Sequence, residues 1–143
     1  MITTVKADEF NELIEVWEAS VRATHDFLSE ENIMYFKPLI LNQYFYLVQL
    51  SAFRNQEGRI IGFAGVGEDK LEMLFIHPDC RGKGVGKHLL QHAIQNMNVR
   101  KVDVNEQNVQ ATAFYTHMGF KIIGRSETDG LGKPFPLLHL ELQ

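Results

Sequence analysis

The chain has 143 residues, 45% hydrophobic content and a formal net charge of -4, which allows one packed core and excludes a surface built to neutralise nucleic acid or an anionic membrane. No apolar run approaches the ~18 residues of a membrane helix, and the single cysteine, Cys80, excludes an internal disulfide. The start "MITTVKADEF" lacks a secretory pattern, so the expectation is one domain over residues 1–143, soluble and cytoplasmic, working as a monomer or homodimer.

The first element is a short strand in "ITTVKA". Asp8 then reads as the N-cap of a helix carrying Phe10, Leu13, Ile14, Trp17 and Val21 on one face. Ser29 offers a second cap before "EENIMYFKPLI", where Pro38 should end or kink the helix. "QYFYLVQL" and "RIIGFAGVG" read as strands around the turn signal "RNQEG", and with "KLEMLFI" they predict an antiparallel meander. Val85, Leu89, Ala93, Ile94 and Met97 recur at helical spacing, which predicts a helix over residues 86–97. "VRKVDVNE" is the next strand; because a helix separates it from "KLEMLFI", the pair should be parallel. Asn108 can cap a helix through "VQATAFYTHM", Gly119 stands where a helix end favours glycine, and "FKIIGRS" and "PLLHLEL" supply closing strands. The class is α/β, with a mixed sheet and flanking helices.

The segment "HPDCRGKGVGKHLL" joins a strand to a helix and places glycines at positions 82, 84 and 86 among basic residues. Helix N-termini leave N–H groups unpaired and partly positive, and glycines let an anion approach the main chain, so this turn suits a pyrophosphate. The alternative is a flexible glycine turn with solvated lysines. A Walker A loop is excluded, because His88 follows Gly86-Lys87 and Arg81 stands where the first glycine belongs. A dinucleotide fingerprint from Gly84 would need glycine where Leu89 stands, although Asp103 lies at a suitable distance for a ribose contact.

The remaining pattern, R-x-x-G-x-G after the strand end in "LFIHPDCRGKGVG", resembles the acetyl-CoA loop of the GNAT N-acetyltransferases. "NEQNVQATAFYTHMGFKIIG" resembles the second GNAT signature, at the usual separation from the first. "SVRATHDFLS", "VNEQN" and "GRSETDGLGKPFPLLHL" are similar to the bacterial YjaB-type members of the family, which extends the resemblance over nearly the whole chain. It implies a mainly antiparallel sheet of about six or seven strands around a central parallel strand-helix-strand unit. It also implies acetyl-CoA as donor, an amine acceptor on a small molecule or protein, and direct acetyl transfer. The rival function is a noncatalytic acyl-CoA-binding module.

Acetyl transfer needs a held cofactor, a deprotonated nucleophile, an oxyanion donor and an acid for the departing thiolate. Arg81, Gly82, Lys83, Gly84, Val85 and Gly86 should hold the pyrophosphate through main-chain N–H groups. By resemblance, Leu74, Phe75 and Ile76 should pair with the pantetheine arm as a strand would, one of their N–H groups serving as oxyanion donor. Asn108 matches the family asparagine that touches this arm, and is also an ordinary helix cap. Tyr115 matches the family tyrosine; it should contact the cofactor and protonate the thiolate. Phe114 reads as core. For the base, Asp103 and Asn105 share one strand face, and Glu72, His25-Asp26 and a water chain are the other candidates; Asp103 is the choice, acting through water or by lowering the amine's desolvation cost. His25 lies where the resemblance puts the acceptor and should contact it. His88 and His92 have i, i+4 spacing without the glutamate of a zinc motif or a third ligand, so no metal is expected, and a nucleophilic Cys80 would require a ping-pong route.

Overall fold

The computed structural model describes residues 1–143. After strand β1 (Ile2–Thr4) comes a 3-10 turn, Ala7–Glu9, and then helix α1 (Phe10–Thr24). The N-cap of α1 is therefore Glu9 and not Asp8. The physical reason is that the Glu9 carboxylate folds back onto the Lys6 N–H at 3.1 Å and pairs with Arg54 at 2.7 Å, tying the preceding turn to the sheet edge, whereas Asp8 stays exposed. Phe10, Leu13, Ile14, Trp17 and Val21 are buried on one face, as the spacing predicts.

Helix α2 (Glu30–Asn42) starts at Ser29, whose hydroxyl accepts from the Asn32 N–H at 3.1 Å while the Asn32 side-chain oxygen accepts from the Ser29 N–H at 3.2 Å. The helix runs through Pro38 to Asn42, so the proline does not end it. One lost hydrogen bond is offset by burial of Ile40 in the turn beyond. A second correction concerns the segment before β2 (Gln49–Arg54): Tyr44–Leu47 is a 3-10 turn and not strand. The turn drives Phe45 into the core between Phe10 and Phe63, with centroids at 5.2 and 5.8 Å, and leaves Tyr46 and Leu47 exposed.

Strands β3 (Ile60–Gly67) and β4 (Lys70–Ile76) complete the antiparallel meander. Helix α3 (Val85–Asn96) crosses over to β5 (Lys101–Asn105), α4 (Val109–His117) follows, and β6 (Phe120–Ser126) and β7 (Leu137–Leu142) close the sheet. Gly119, at φ +99°, ends the turn after α4 as expected. The sheet has seven strands in the order β1-β2-β3-β4-β5-β7-β6, and the β4–β5 pair is the parallel one. No helix is long and apolar enough to cross a membrane.

Each sheet face carries its own hydrophobic layer. Leu13, Trp17, Ile33, Phe45, Phe63 and Met73 belong to the α1–α2 side, and Leu71, Val85, Leu89, Val102, Val104 and Leu140 to the α3–α4 side. Leu71 and Met73 lie in opposite layers although strand alternation puts residues two apart on one face. Glu72 explains this: Gly65 pairs with Met73 and the next residue, Val66, with Leu71, so Glu72 is an extra, bulged residue in β4.

Candidate active site

The parallel β4–β5 contact is short. Lys70 pairs with Lys101 and Leu71 with Val102, and from Glu72 and Asp103 onward the two strands separate. Beyond that point β4 keeps β3 on one side, through Met73–Gly65, Leu74–Ala64, Phe75–Phe63 and Ile76–Gly62, and has no strand on the other. A wedge therefore opens in the sheet with main-chain groups of Leu74, Phe75 and Ile76 along one edge. A cavity of about 340 Å³ occupies it, lined by these three residues, Arg81, Gly82, Gly84–Gly86, Asn108, Tyr115 and His25 among others.

The glycine turn closes the wide end. Gly82 and Gly84 adopt φ +78° and +82°, which L side chains rarely adopt, and Gly84 is the N-cap of α3. No backbone acceptor meets the N–H groups of residues 82–87; the first bond is from His88 N–H to the Gly84 carbonyl at 3.0 Å. This run of free donors stands at a helix start, where the partial positive charge favours an anion. A Cβ on Gly86 would touch Ile76 and Phe114 at 3.6 to 3.8 Å, so the helix packs closely on the strand there. Lys87 lines the cavity and Lys83 does not. The Arg81 guanidinium reaches across the mouth to the Gln110 side-chain oxygen at 2.5 Å.

Tyr115 projects from α4, only 7% exposed, with Phe114 and Phe120 edge-on to its ring at 5.2 and 5.8 Å. Its hydroxyl makes no hydrogen bond within the protein, yet no fully buried polar side-chain atom lacks a partner, so the oxygen opens to the cavity that the residue lines. Burial pushes the phenol pKa well above its ordinary value and keeps the proton in place. Phe114, expected as core, is part core and part cavity wall.

His25 and Asn108 face each other across the cavity in a fully determined arrangement. The Thr24 hydroxyl donates to the Ser20 carbonyl at 2.8 Å, so its oxygen accepts from His25 Nδ1–H at 2.7 Å. His25 Nε2 then accepts from Asn108 Nδ2 at 3.3 Å, and Asn108 Oδ1 accepts from the Ala111 N–H at 3.1 Å as a helix cap. This pattern requires a neutral imidazole. Burial agrees, lowering the His25 pKa to about 4 against a small opposing effect of Asp26.

Asp103 does not line the cavity. It stands at the narrow end of the wedge on the α1–α2 side of the sheet, with one oxygen 2.6 Å from His139 Nδ1 and the other paired with Lys70. Asn105 shares that face, but its side-chain oxygen accepts from the Gln107 N–H at 3.0 Å and shapes the turn into α4. Glu72 makes no ion pair; desolvation first, and the Asp103 charge after it, raise its pKa against the pull of Lys70. With Asp129, Phe36, Tyr44, Leu47 and Met73 it lines a second groove of about 510 Å³. His88 stacks on Phe53 at 6.0 Å, and His92 bonds Asn96.

Several lining residues escape sequence reasoning. Gln110 and Ser20 join the site only because α4 and α1 approach the cleft, and Thr24 carried its signal in "ATHD", next to the histidine that it orients.

Comparison with known proteins identifies the family and the fold. Residues 18–135 match the family described as acetyltransferase (GNAT) domain. The chain is 43% identical to the peptidyl-lysine N-acetyltransferase YjaB of Escherichia coli strain K12 over 133 residues, 93% of this chain and 90% of that protein. The solution structure of apo-form YjaB from Escherichia coli superposes with TM-score 0.88 at 41% identity, covering 99% of this chain and 95% of the other. The PaiA N-acetyltransferase of Thermoplasma acidophilum, solved with coenzyme A, shares the fold at TM-score 0.77 and 22% identity, over 100% of this chain and 98% of that one.

Proposed function

Because the chain belongs to the GNAT family of N-acetyltransferases, we propose that it moves an acetyl group from acetyl-CoA directly onto a lysine side chain of a protein. The observation that carries the reading is the wedge between β4 and β5, which has free N–H groups at its wide end and Tyr115 in its wall.

In this reading residues 1–143 act as one domain in a reducing compartment. The N–H groups of Gly82 through Lys87 bind the donor's pyrophosphate, and Arg81, held by Gln110, adds positive charge at the mouth. The open edge of Leu74, Phe75 and Ile76 takes the pantetheine amides as a sheet takes a strand, which leads the thioester toward the narrow end. A β4 N–H stabilises the developing oxyanion, and Asn108, oriented by His25, contacts the donor arm. The amine attacks the thioester carbon, the C–S bond breaks, and the Tyr115 hydroxyl supplies the proton to the thiolate.

The groove at Glu72 and Asp129 supports a lysine acceptor. Phe36, Tyr44, Leu47 and Met73 suit the four-carbon stem, and the two carboxylates suit the ammonium. The relative named above as a peptidyl-lysine N-acetyltransferase points the same way. The test is thiol release from acetyl-CoA in the presence of single-lysine peptides or of small amines such as spermidine. Faster release with the peptides is expected; turnover confined to the small amines overturns the lysine assignment.

A further inference from the structure

At the narrow end of the wedge, three neighbouring strands carry a hydrogen-bonded chain of side chains. Ser126 on β6 lies 2.6 Å from His139 Nε2 on β7, and His139 Nδ1 lies 2.6 Å from Asp103 Oδ1 on β5. Lys70 on β4 holds the other Asp103 oxygen. An ionised carboxylate only accepts, so when the ring is neutral Nδ1 carries the proton, Nε2 is the free lone pair, and the Ser126 hydroxyl donates to it. The chain has the order of a serine–histidine–aspartate array.

Its location gives it a use. Val102, Val104, Leu138 and Leu140 face the α3–α4 layer, so Asp103 and His139 face the opposite side, which carries the groove with Glu72. Asp103 is the first β5 residue past the last parallel pair, at the point where β4 and β5 part. The side chains of His139 and Asp103 are 33% and 22% exposed, low enough to be held in place and high enough to be reached. Both Asp103 oxygens are engaged, so it is not itself a free base.

We infer that Ser126 and His139 form the relay that removes the proton from the acceptor ammonium, with Asp103 and Lys70 as positioning residues. The inference rests on the transferase reading above. The Ser126 oxygen takes a proton from the ammonium as its own proton passes to His139 Nε2, and Asp103 stabilises the imidazolium. The freed lone pair forms the C–N bond, the C–S bond breaks with protonation of the thiolate by Tyr115, and the nitrogen's surplus proton restores the phenol. His139 returns its proton to water, so the sum is amide, free thiol and one proton. Charged groups facing the ring are Asp103, Lys70 and Glu72, with Lys101, Lys121 and Glu141 further along the same sheet face.

The test compares one peptide in two forms, with lysine or with an aminooxy group in place of the ammonium, whose nitrogen is already unprotonated at about pH 7.5. Ser126→Ala and His139→Gln should each lower kcat/KM for the lysine peptide ~10²-fold and leave the aminooxy peptide within about threefold of wild type. Calorimetric affinity for acetyl-CoA should not change. Equal losses on both peptides would reduce the array to a structural role, and undiminished lysine turnover in His139→Gln would overturn the relay. So would an amine-dependent deficit in Glu72→Gln that is absent from His139→Gln. A wild-type protein that acetylates neither peptide would overturn the lysine assignment on which the relay rests, and the relay with it.

Discussion

His25 and Asn108 meet across the cleft, the amide nitrogen 3.3 Å from His25 Nε2, and join the end of α1 to the start of α4. The contact works only while the imidazole is neutral, because a protonated Nε2 has no lone pair to accept with. The cap of α4 and the last turn of α1 are thereby tied to one protonation state.

Acid should break that tie. The folded pKa of His25 is about 4 against an ordinary 6.5, so between these values the unfolded chain binds a proton that the folded chain does not. Stability from this group is complete above the ordinary value and declines as pH falls toward the folded one, by no more than about 3 kcal/mol. Urea midpoints measured over this range should fall more steeply for wild type than for His25→Gln. Parallel curves would show that the histidine titrates normally.

Gly84 and Gly58 share φ +82°, one at the turn into α3 and the other in the β2–β3 hairpin, and at neither would an added Cβ come closer than 3.8 Å to a neighbouring atom. Alanine at either site should cost about 1 kcal/mol of stability through backbone strain alone. Only Gly84→Ala should also weaken acetyl-CoA, by roughly tenfold in Kd. Calorimetry on the two variants separates the cradle from the strain, and equal affinities would remove the cradle.

Tyr115→Phe should lower kcat at least ~10²-fold with little change in acetyl-CoA affinity, because in the proposed reaction the hydroxyl acts as the thiolate leaves. Desolvation raises the phenol pKa above its ordinary 10.0, so the group stays protonated at lower pH and an alkaline limb from it belongs above that value. Single-turnover thiol release across the pH range checks both statements.

Glu18 bonds Lys37 and Arg22 at 2.5 and 2.9 Å, clamping α2 to α1. Lys37 first and Arg22 second lower its carboxyl pKa, so the clamp contributes above the ordinary 4.5 and is lost as pH falls through the folded value. Glu18→Gln should cost about 1 kcal/mol at neutral pH, and the difference from wild type should vanish in strong acid. Denaturation at both extremes measures it.

Local signals in the chain were sufficient for much of this. The Arg81–Gly86 turn is bounded by a strand and an amphipathic helix, and both Ser29 and Asn108 announce their helices by side chains that bond N–H groups within one turn. What stayed hidden depended on distance along the chain. "YFYLV" is apolar at nearly every position, so neither a strand nor a helical period is imposed, and packing of Phe45 against Phe63 decides for a turn. Strand alternation alone reads Asp103 as a base bordering the cleft, and only the insertion of β7 between β5 and β6 brings His139 beside it and engages the carboxylate. Gln110 becomes a partner of Arg81 only when α3 and α4 flank the same gap.

Considered as a repeating pattern, β4 contains one residue more than its two hydrophobic layers need. Excising Glu72 would leave Leu71 and Met73 consecutive, hence still on opposite faces and still in their own layers. The surplus residue is therefore dispensable to the core and belongs to the opening, since it sits where β4 and β5 part company. A chain shortened by that residue should fold with both layers in phase, so the bulge where β4 and β5 part is a feature that the core does not require.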